Sequence, residues 1–397
     1  MRNKGKIKMS YDDIADRILR IIFPAIVPAI VLVYLFTVSM ASAATSCASG
    51  PTSPLVVNVK NTGAKGDGVT NDTAAIQAAV NRVTGTGGTV YVPDGTYMID
   101  AVTMLFVKSN MTFQMSSGAI LRAIPNNQRD YNIIRINFAS NVNVIGGTLQ
   151  GERYQHLVTT GEFGMGLAIY GSRNVIIEGV TARDNWGDGF YLGTSNPTNI
   201  TFCAVTADNN RRQGMSIITA NGVVVKNSTF ENTNGTAPAA GIDIEPDAND
   251  TATNVQILNS QFLNNDEVGV LLTLNPAYNG SSFIRNVTIN GNTMIGNDRH
   301  FYNVESEGGI VLLNVSGIIV TNNAVYNDIK DGIHLGQAGT ISSANNNTIT
   351  GNIITGNHRY GILLEDGSTG NTIDNNKVFS NAQQIVDEVG GNTITNN

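Results

Sequence analysis

Asp243 and Glu245, in the run Gly241-Ile242-Asp243-Ile244-Glu245, are the residues whose types and spacing most directly offer chemistry. On an extended strand they share one side, with α-carbons about 6.6 Å apart. Two carboxyls near that separation can act as acid and base, or acid and nucleophile, at a glycosidic bond; the spacing falls between the retaining and inverting ranges and leaves stereochemistry open. Asp188, in Trp186-Gly187-Asp188-Gly189, is a third candidate carboxylate, and Arg212 is a candidate base. Candidate substrate contacts are Tyr191, Trp186, Arg211, Gln213, Ser216 and Glu162. Arg211 and Arg212 can grip a carboxylate bidentately or neutralise Asp188 and Asp243. Trp186, the one tryptophan, reads either as a stacking platform for a sugar ring or as a buried corner anchor.

The elements that position these residues repeat. Glycines 166, 189, 214, 241, 269, 309, 332 and 361 each open an apolar-x-apolar strand, at spacings of 23, 25, 27, 28, 40, 23 and 29 residues. Such a period marks a solenoid. The apolar residues alternate with period two, and Asn, Asp and Gly fill the corners, where left-handed backbone suits them. The predicted fold is therefore all-β: a right-handed parallel β-helix. Inward positions are Phe190 and Leu192, Met215 and Ile217, Ile242 and Ile244. Outward positions stack into two columns. One runs Ala168, Tyr191, Ser216, Asp243, Leu271, Val311, His334, Leu363; the other runs Tyr170, Gly193, Ile218, Glu245, Thr273, Leu313, Gly336, Glu365. His334 reads as an isolated surface residue, and the long repeat carries an insertion over residues 297–307.

Residues 1–43 read as a separate leader. Six basic residues precede or flank the apolar run 21–38, and Ala41-Ser42-Ala43 offers a cleavage site, so this segment is a signal peptide or a membrane anchor. Residues 44–54 read as a linker and 55–397 as one β-helix domain, secreted, periplasmic or at the cell surface. The leader's net +3 leaves −10 of the chain's −7 for the remainder, a balance that excludes a nucleic-acid partner and suits a polysaccharide or calcium. Cys47 and Cys203 are too few for a disulfide framework. They read as one exposed and one buried thiol, with a bridge between them as the alternative. The final repeat, ending Asn392-Thr393-Ile394-Thr395-Asn396-Asn397, has no evident cap, so it frays or is covered by another subunit, as in a homo-trimer.

Val57-Asn58-Val59-Lys60-Asn61-Thr62-Gly63-Ala64-Lys65-Gly66-Asp67-Gly68-Val69-Thr70-Asn71-Asp72-Thr73, followed by Gly87-Gly88-Thr89-Val90-Tyr91-Val92-Pro93-Asp94-Gly95-Thr96-Tyr97, resembles the opening of the pectate-lyase-like superfamily. The resemblance implies a short N-terminal capping α-helix. Asn71, Asp72 or Thr73 can N-cap it, with Ala75, Ile76, Ala79 and Val80 facing inward. It also implies action on a sugar polymer, but the known sites are not reproduced. Where polygalacturonases carry an Asp-Asp pair and a Gly-His-Gly, this chain resembles them only with Gly187-Asp188-Gly189 and Arg212-Gln213-Gly214. Three functions follow as expectations. The first is a hydrolase of a uronate-containing polysaccharide, using Asp243, Glu245 and Asp188. The second is a polysaccharide lyase or C5-epimerase with Arg212 or Tyr191 as base. In that case Asp243, Glu245 and Asp247 are candidate ligands for Ca2+, which the hydrolase does not require. The third is a non-catalytic carbohydrate-binding surface protein.

Overall fold

A computed structural model describes residues 46–397 apart from 279, 301–306 and 340–342. The expected leader 1–43 lies outside the described residues, as do residues 301–306 of the expected insertion. Among the described residues no helix is long and apolar enough to cross a membrane.

The chain winds into three parallel sheets of 13, 12 and 11 strands, each pairing with strands one coil away. Val, Ile, Leu and Phe from all three faces fill one continuous core. Phe230 lies flat on Phe262 at 5.3 Å, so aromatic residues stack from coil to coil as the backbone does. The all-β parallel-helix expectation therefore holds. The helix Thr73–Val83 lies against the first strands and buries Ile76, Ala79, Val80 and Val83. Its start is held differently from a simple N-cap: Asn71 accepts from the Thr73 N–H, while the Asp72 carboxylate turns back to the N–H groups of Lys65 and Gly66.

The glycines that open each strand of the third sheet have a steric reason. A Cβ at Gly166, Gly189, Gly214, Gly241, Gly269, Gly309 or Gly332 would sit 2.4 to 3.0 Å from the carbonyl oxygen of the next glycine in that series. The coils approach too closely there for a side chain. Corners of the first sheet use Asn141, Asn174, Asn199, Asn254 and Asn286 at φ between 53 and 57°. Buried corners use asparagine ladders instead. Asn265 donates to Asn297 at 2.9 Å, Asn297 to Asp328 at 3.1 Å, and Asn357 to Asn381 at 2.9 Å, which satisfies amides that would be costly to bury alone.

Cys47 and Cys203 form a disulfide, correcting the expectation of two thiols. It ties residues 47–53 along the outside of the first sheet, where Glu178 accepts from Ala48 at 2.8 Å and Asn143 donates to the Ser49 carbonyl at 3.0 Å. Between this strap and the sheet lies a cavity of about 330 Å3, lined by Asn110, Thr112, Asn143 and their neighbours without an ionisable side chain. The closing strand Thr393–Thr395 is exposed.

Candidate functional site

The third sheet delivers the expected column. Its registers place Ala168 beside Tyr191, Tyr191 beside Ser216, Ser216 beside Asp243, and Asp243 beside Leu271. One strand earlier, Arg135 stands in the same column beside Ala168. Facing outward does not mean facing water here: Asp188, Gln213, Ser216 and Asp243 are all fully buried.

Two polar nests fill this face. In the first, Arg212 reaches both oxygens of Asp188 at 3.3 and 3.2 Å, and the Ser216 hydroxyl donates to Asp188 Oδ2 at 2.8 Å. Glu162 approaches the other edge of the guanidinium at 3.6 Å. Burial pushes the Asp188 carboxyl up, while Arg212 and Ser216 hold it back. Burial also works against the Arg212 cation, but Asp188, Asp243 and Glu162 outweigh it and raise its pKa above the ordinary arginine value. Arg212 is thus engaged as a counter-charge to Asp188, and its raised pKa disfavours the base role expected of it in a lyase. Tyr191 fails as a base too, because burial first, then Tyr170, Asp188 and Asp247, push its hydroxyl up.

In the second nest, Gln213 Oε1 accepts from the Ala240 N–H at 2.8 Å, and its Nε2 donates to Asp243 Oδ2 at 3.0 Å. The backbone donor fixes the amide orientation, since only the oxygen can accept from it. Asp243 Oδ1 is buried with no hydrogen-bond partner among the described residues. Burial lifts the Asp243 carboxyl well above the ordinary range and Glu245 adds to the rise, with Arg212 opposing. Glu245 is half-buried and also raised, by burial and Asp247 against the pull of Arg212. Burial therefore favours the protonated form of Asp243, and with Oδ2 accepting from Gln213 the oxygen left for a proton is Oδ1.

Several expected substrate contacts have other work. Trp186 is the buried anchor: its ring lies 4.2 Å from His156 and 3.9 Å beneath the Arg211 guanidinium. Arg211 bonds to the carbonyl of Gly161 at 3.0 Å and contacts no carboxylate in this nest. Gln213 and Ser216 spend their groups on Asp243 and Asp188. Tyr191 is half-buried, with its ring over Gly193, where a Cβ would meet it at 2.5 Å. Asp247 is exposed and accepts from the Tyr278 hydroxyl at 3.2 Å. Among the described residues no three His, Cys, Asp or Glu side chains converge as a metal-holding group, the trio Asp243, Glu245 and Asp247 included. His334 is neither isolated nor on the surface. It is buried and its Nε2 pairs with Glu365 at 2.8 Å.

The sequence reading missed two groups. Glu152, His156 and Tyr131 form a buried cluster under the Trp186 ring, with His156 Nδ1 2.8 Å from Glu152. No repeat position marks them. Arg135 was legible in principle, since Ile134-Arg135-Ile136 has the strand alternation but lacks the opening glycine.

These features define a right-handed parallel β-helix, and the likenesses that follow support a place in the pectate-lyase-like superfamily. Residues 56–131 match the family model described as rhamnogalacturonase A/epimerase, pectate lyase-like, and residues 209–397 match that of the periplasmic copper-binding protein NosD. The chain is 29% identical over 384 residues to the uncharacterized protein YclG of Bacillus subtilis (strain 168), covering 86% of this chain and 62% of that one. It thus spans less than two thirds of that relative. The A-module of the mannuronan C-5 epimerase AlgE4 of Azotobacter vinelandii superposes with a TM-score of 0.65 at 22% identity, over 85% of this chain and 99% of the module. The surface protein and adhesin PfbA of Streptococcus pneumoniae gives 0.60 at 17% identity, over 86% and 98%. At such identities the structural likenesses establish the fold alone. For the NosD likeness, no group of three His, Cys, Asp or Glu side chains that could hold a metal ion stands together among the described residues of 209–397.

Proposed function

We propose that the outer face of the third sheet binds a polysaccharide and that Asp243 and Glu245 hydrolyse its glycosidic bond. The observation that supports this is Asp243 itself, held by Gln213 with a buried, unpartnered Oδ1 beside the half-buried Glu245 carboxyl, and with its carboxyl pushed up by burial. Asp243 is uncovered as the sugar chain binds, and gives its Oδ1 proton to the glycosidic oxygen as the bond from the anomeric carbon to that oxygen breaks. Water forms the new bond to that carbon and yields a proton to the Glu245 carboxylate. Water is consumed, two sugar hydroxyls result, and the proton on Glu245 returns across the coupled pair to Asp243. Arg212, with Asp188 and Glu162, holds the floor rigid and limits the negative charge near the pair.

The epimerase likeness keeps a uronate polymer among the substrates, but its chemistry needs a base that Arg212 and Tyr191 do not supply. A non-catalytic carbohydrate-binding role is the second reading, supported by the complete burial of Asp188 and Asp243 and by the adhesin likeness. The periplasmic and surface descriptions of the relatives, with the disulfide, support a location outside the cytoplasm.

The test is the full chain on uronate and neutral polysaccharides, following reducing ends and near-ultraviolet absorbance together. Hydrolysis gives reducing ends without absorbance, abolished by Asp243→Asn and Glu245→Gln. Absorbance would replace hydrolysis with elimination. Silence in both channels with measurable affinity would leave the epimerase and binding readings, which a change in uronate composition of the recovered polymer separates.

A further inference from the structure

Arg135 is the cation on this face that the hydrolytic nest does not absorb. It stands in the outer column between Phe106 and Ala168, four strands from Asp243 along Ala168, Tyr191 and Ser216, or about 19 Å at the usual strand spacing. Among the described residues it forms no ion pair, unlike Arg212, which has Asp188 and Glu162. Its Nε is buried and lacks a hydrogen-bond partner, and its Nη1 meets nothing better than the Met104 sulfur at 3.7 Å. Arg135 is half-buried, so the rest of the guanidinium can still meet a ligand, and the buried Nε is a donor that an anion placed there would satisfy.

The setting points to what that ligand carries. The guanidinium lies 4.2 Å over the Tyr170 ring, and Tyr170 tilts against Tyr191 at 5.7 Å. The two half-buried rings continue from Arg135 toward Ser216 and Asp243, a course a sugar chain can follow by stacking. Stacking on Tyr170 fixes the plane of the guanidinium, so its remaining N–H groups form a planar fork suited to an oxyanion. Asp243, Glu245 and Asp247 lie mid-sheet, four strands further on, so the charge between Arg135 and that acid group is asymmetric.

We propose that Arg135 is an anion subsite: a carboxylate or sulfate of the bound polysaccharide pairs with it while the adjoining sugar lies on Tyr170 and Tyr191. The inference rests on the polysaccharide reading but not on cleavage. It makes the substrate an anionic polymer and sets its direction, with a charged residue at Arg135 and the scissile region at the acid pair.

Calorimetric titration of the full chain tests it. The probes are oligogalacturonate, oligomannuronate, a sulfated galacto-oligosaccharide and a neutral galacto-oligosaccharide of equal length. Arg135→Gln, which keeps part of the stem over Tyr170, and Arg135→Ala should each weaken anionic binding about ten- to a hundred-fold. Binding of the neutral probe should stay within about two-fold, and Arg135→Lys should recover part of the loss. Loss for the sulfated probe alone would assign the site to sulfate. Unchanged affinity for every anionic probe, equal loss for anionic and neutral probes, or no anionic binding by the wild-type chain would each overturn the proposal. Thermal melts of the variants show whether they fold, and Arg135→Lys carries the test if the shorter side chains do not. Binding that persists without cleavage sinks the hydrolase reading and leaves this one. Cleavage of a neutral polymer with no anionic binding does the reverse.

Discussion

Replacing Asp328 by asparagine should stabilise the protein above neutral pH and do little at pH 4. Asp328 occupies one step of the buried ladder Asn265, Asn297, Asp328, Asn357, Asn381, in which each other step is an amide. The glycine that opens the neighbouring strand shows how faithfully it fills the place. A Cβ on Gly241, Gly269, Gly332 or Gly361 would meet the Nδ2 of Asn265, Asn297, Asn357 or Asn381, whereas at Gly309 it would meet Asp328 Oδ2. Asp328 Oδ1 accepts from Asn297, as an asparagine oxygen would, while Oδ2 stands where the others donate and has no partner among the described residues. Only the protonated acid can donate from that position.

Burial raises Asp328 from 3.8 to about 7, with the Asn297 N–H bonds pulling the other way. The unfolded chain gives up this proton near 3.8 and the folded chain near 7, so the folded state binds the extra proton between them. Stability therefore falls as pH rises through that window. At about 1.4 kcal/mol per pH unit, the loss approaches about 4 kcal/mol above pH 7. An asparagine in this place does not titrate and restores the donor. In urea unfolding from pH 4 to 9, Asp328→Asn should match wild type within about 1 kcal/mol at pH 4 and exceed it by about 4 kcal/mol at pH 8. The converse change, Asn297→Asp, should introduce a second decline of the same sign. Parallel pH profiles for wild type and Asp328→Asn, or a less stable variant at pH 8, would refute the reasoning.

Gly241→Ala should lower stability by several kcal/mol, because its Cβ would lie 2.6 Å from the Gly269 carbonyl oxygen and separate two coils; differential scanning calorimetry against Gly50→Ala, a position with open space and no left-handed backbone, checks it. Trp186→Ala should cost about 3–5 kcal/mol, as for other buried aromatic truncations, and a melt that is unchanged while sugar affinity collapses would return Trp186 to the role of platform. Reduction, or Cys203→Ser, should cost about 2–5 kcal/mol, since the bridge closes a loop with a sequence separation of 156 residues; denaturation with and without reductant reads it. The infrared difference spectrum of wild type minus Asp243→Asn at pH 7 should show one protonated-carboxyl component over those of the other buried acids such as Asp328, and a null difference would remove the proton donor from the proposed reaction.

The coil was legible because its grammar is local. Alternation at Phe190-Tyr191-Leu192 and Ile242-Asp243-Ile244 assigned inside and outside correctly, and the registers followed from stacking the glycines. The steric reason for those glycines was not legible, since the contact that excludes a Cβ comes from the next coil. The disulfide was hidden for a related reason: Cys47 reaches Cys203 only because the strap doubles back along the first sheet.

At the site, period-two alternation says which side of a strand a residue takes, and says nothing of what covers that side. Corner residues cover it here. Arg212 and Gln213 leave the turn before Met215–Ile217 and fold over the acids of the neighbouring coils, Asp188 behind and Asp243 ahead, while Arg211 turns away to Trp186. Three consecutive residues thus take three different jobs, which no spacing rule separates. The same covering changes the chemistry of the acids. An exposed Asp243 would be an ordinary carboxylate at neutral pH, and a hydrolytic reading would lack its proton donor. Burial against Gln213 and beside Glu245 favours its protonated form, so the burial that the strand pattern could not show is what would give the Asp-x-Glu spacing its use in the proposed reaction.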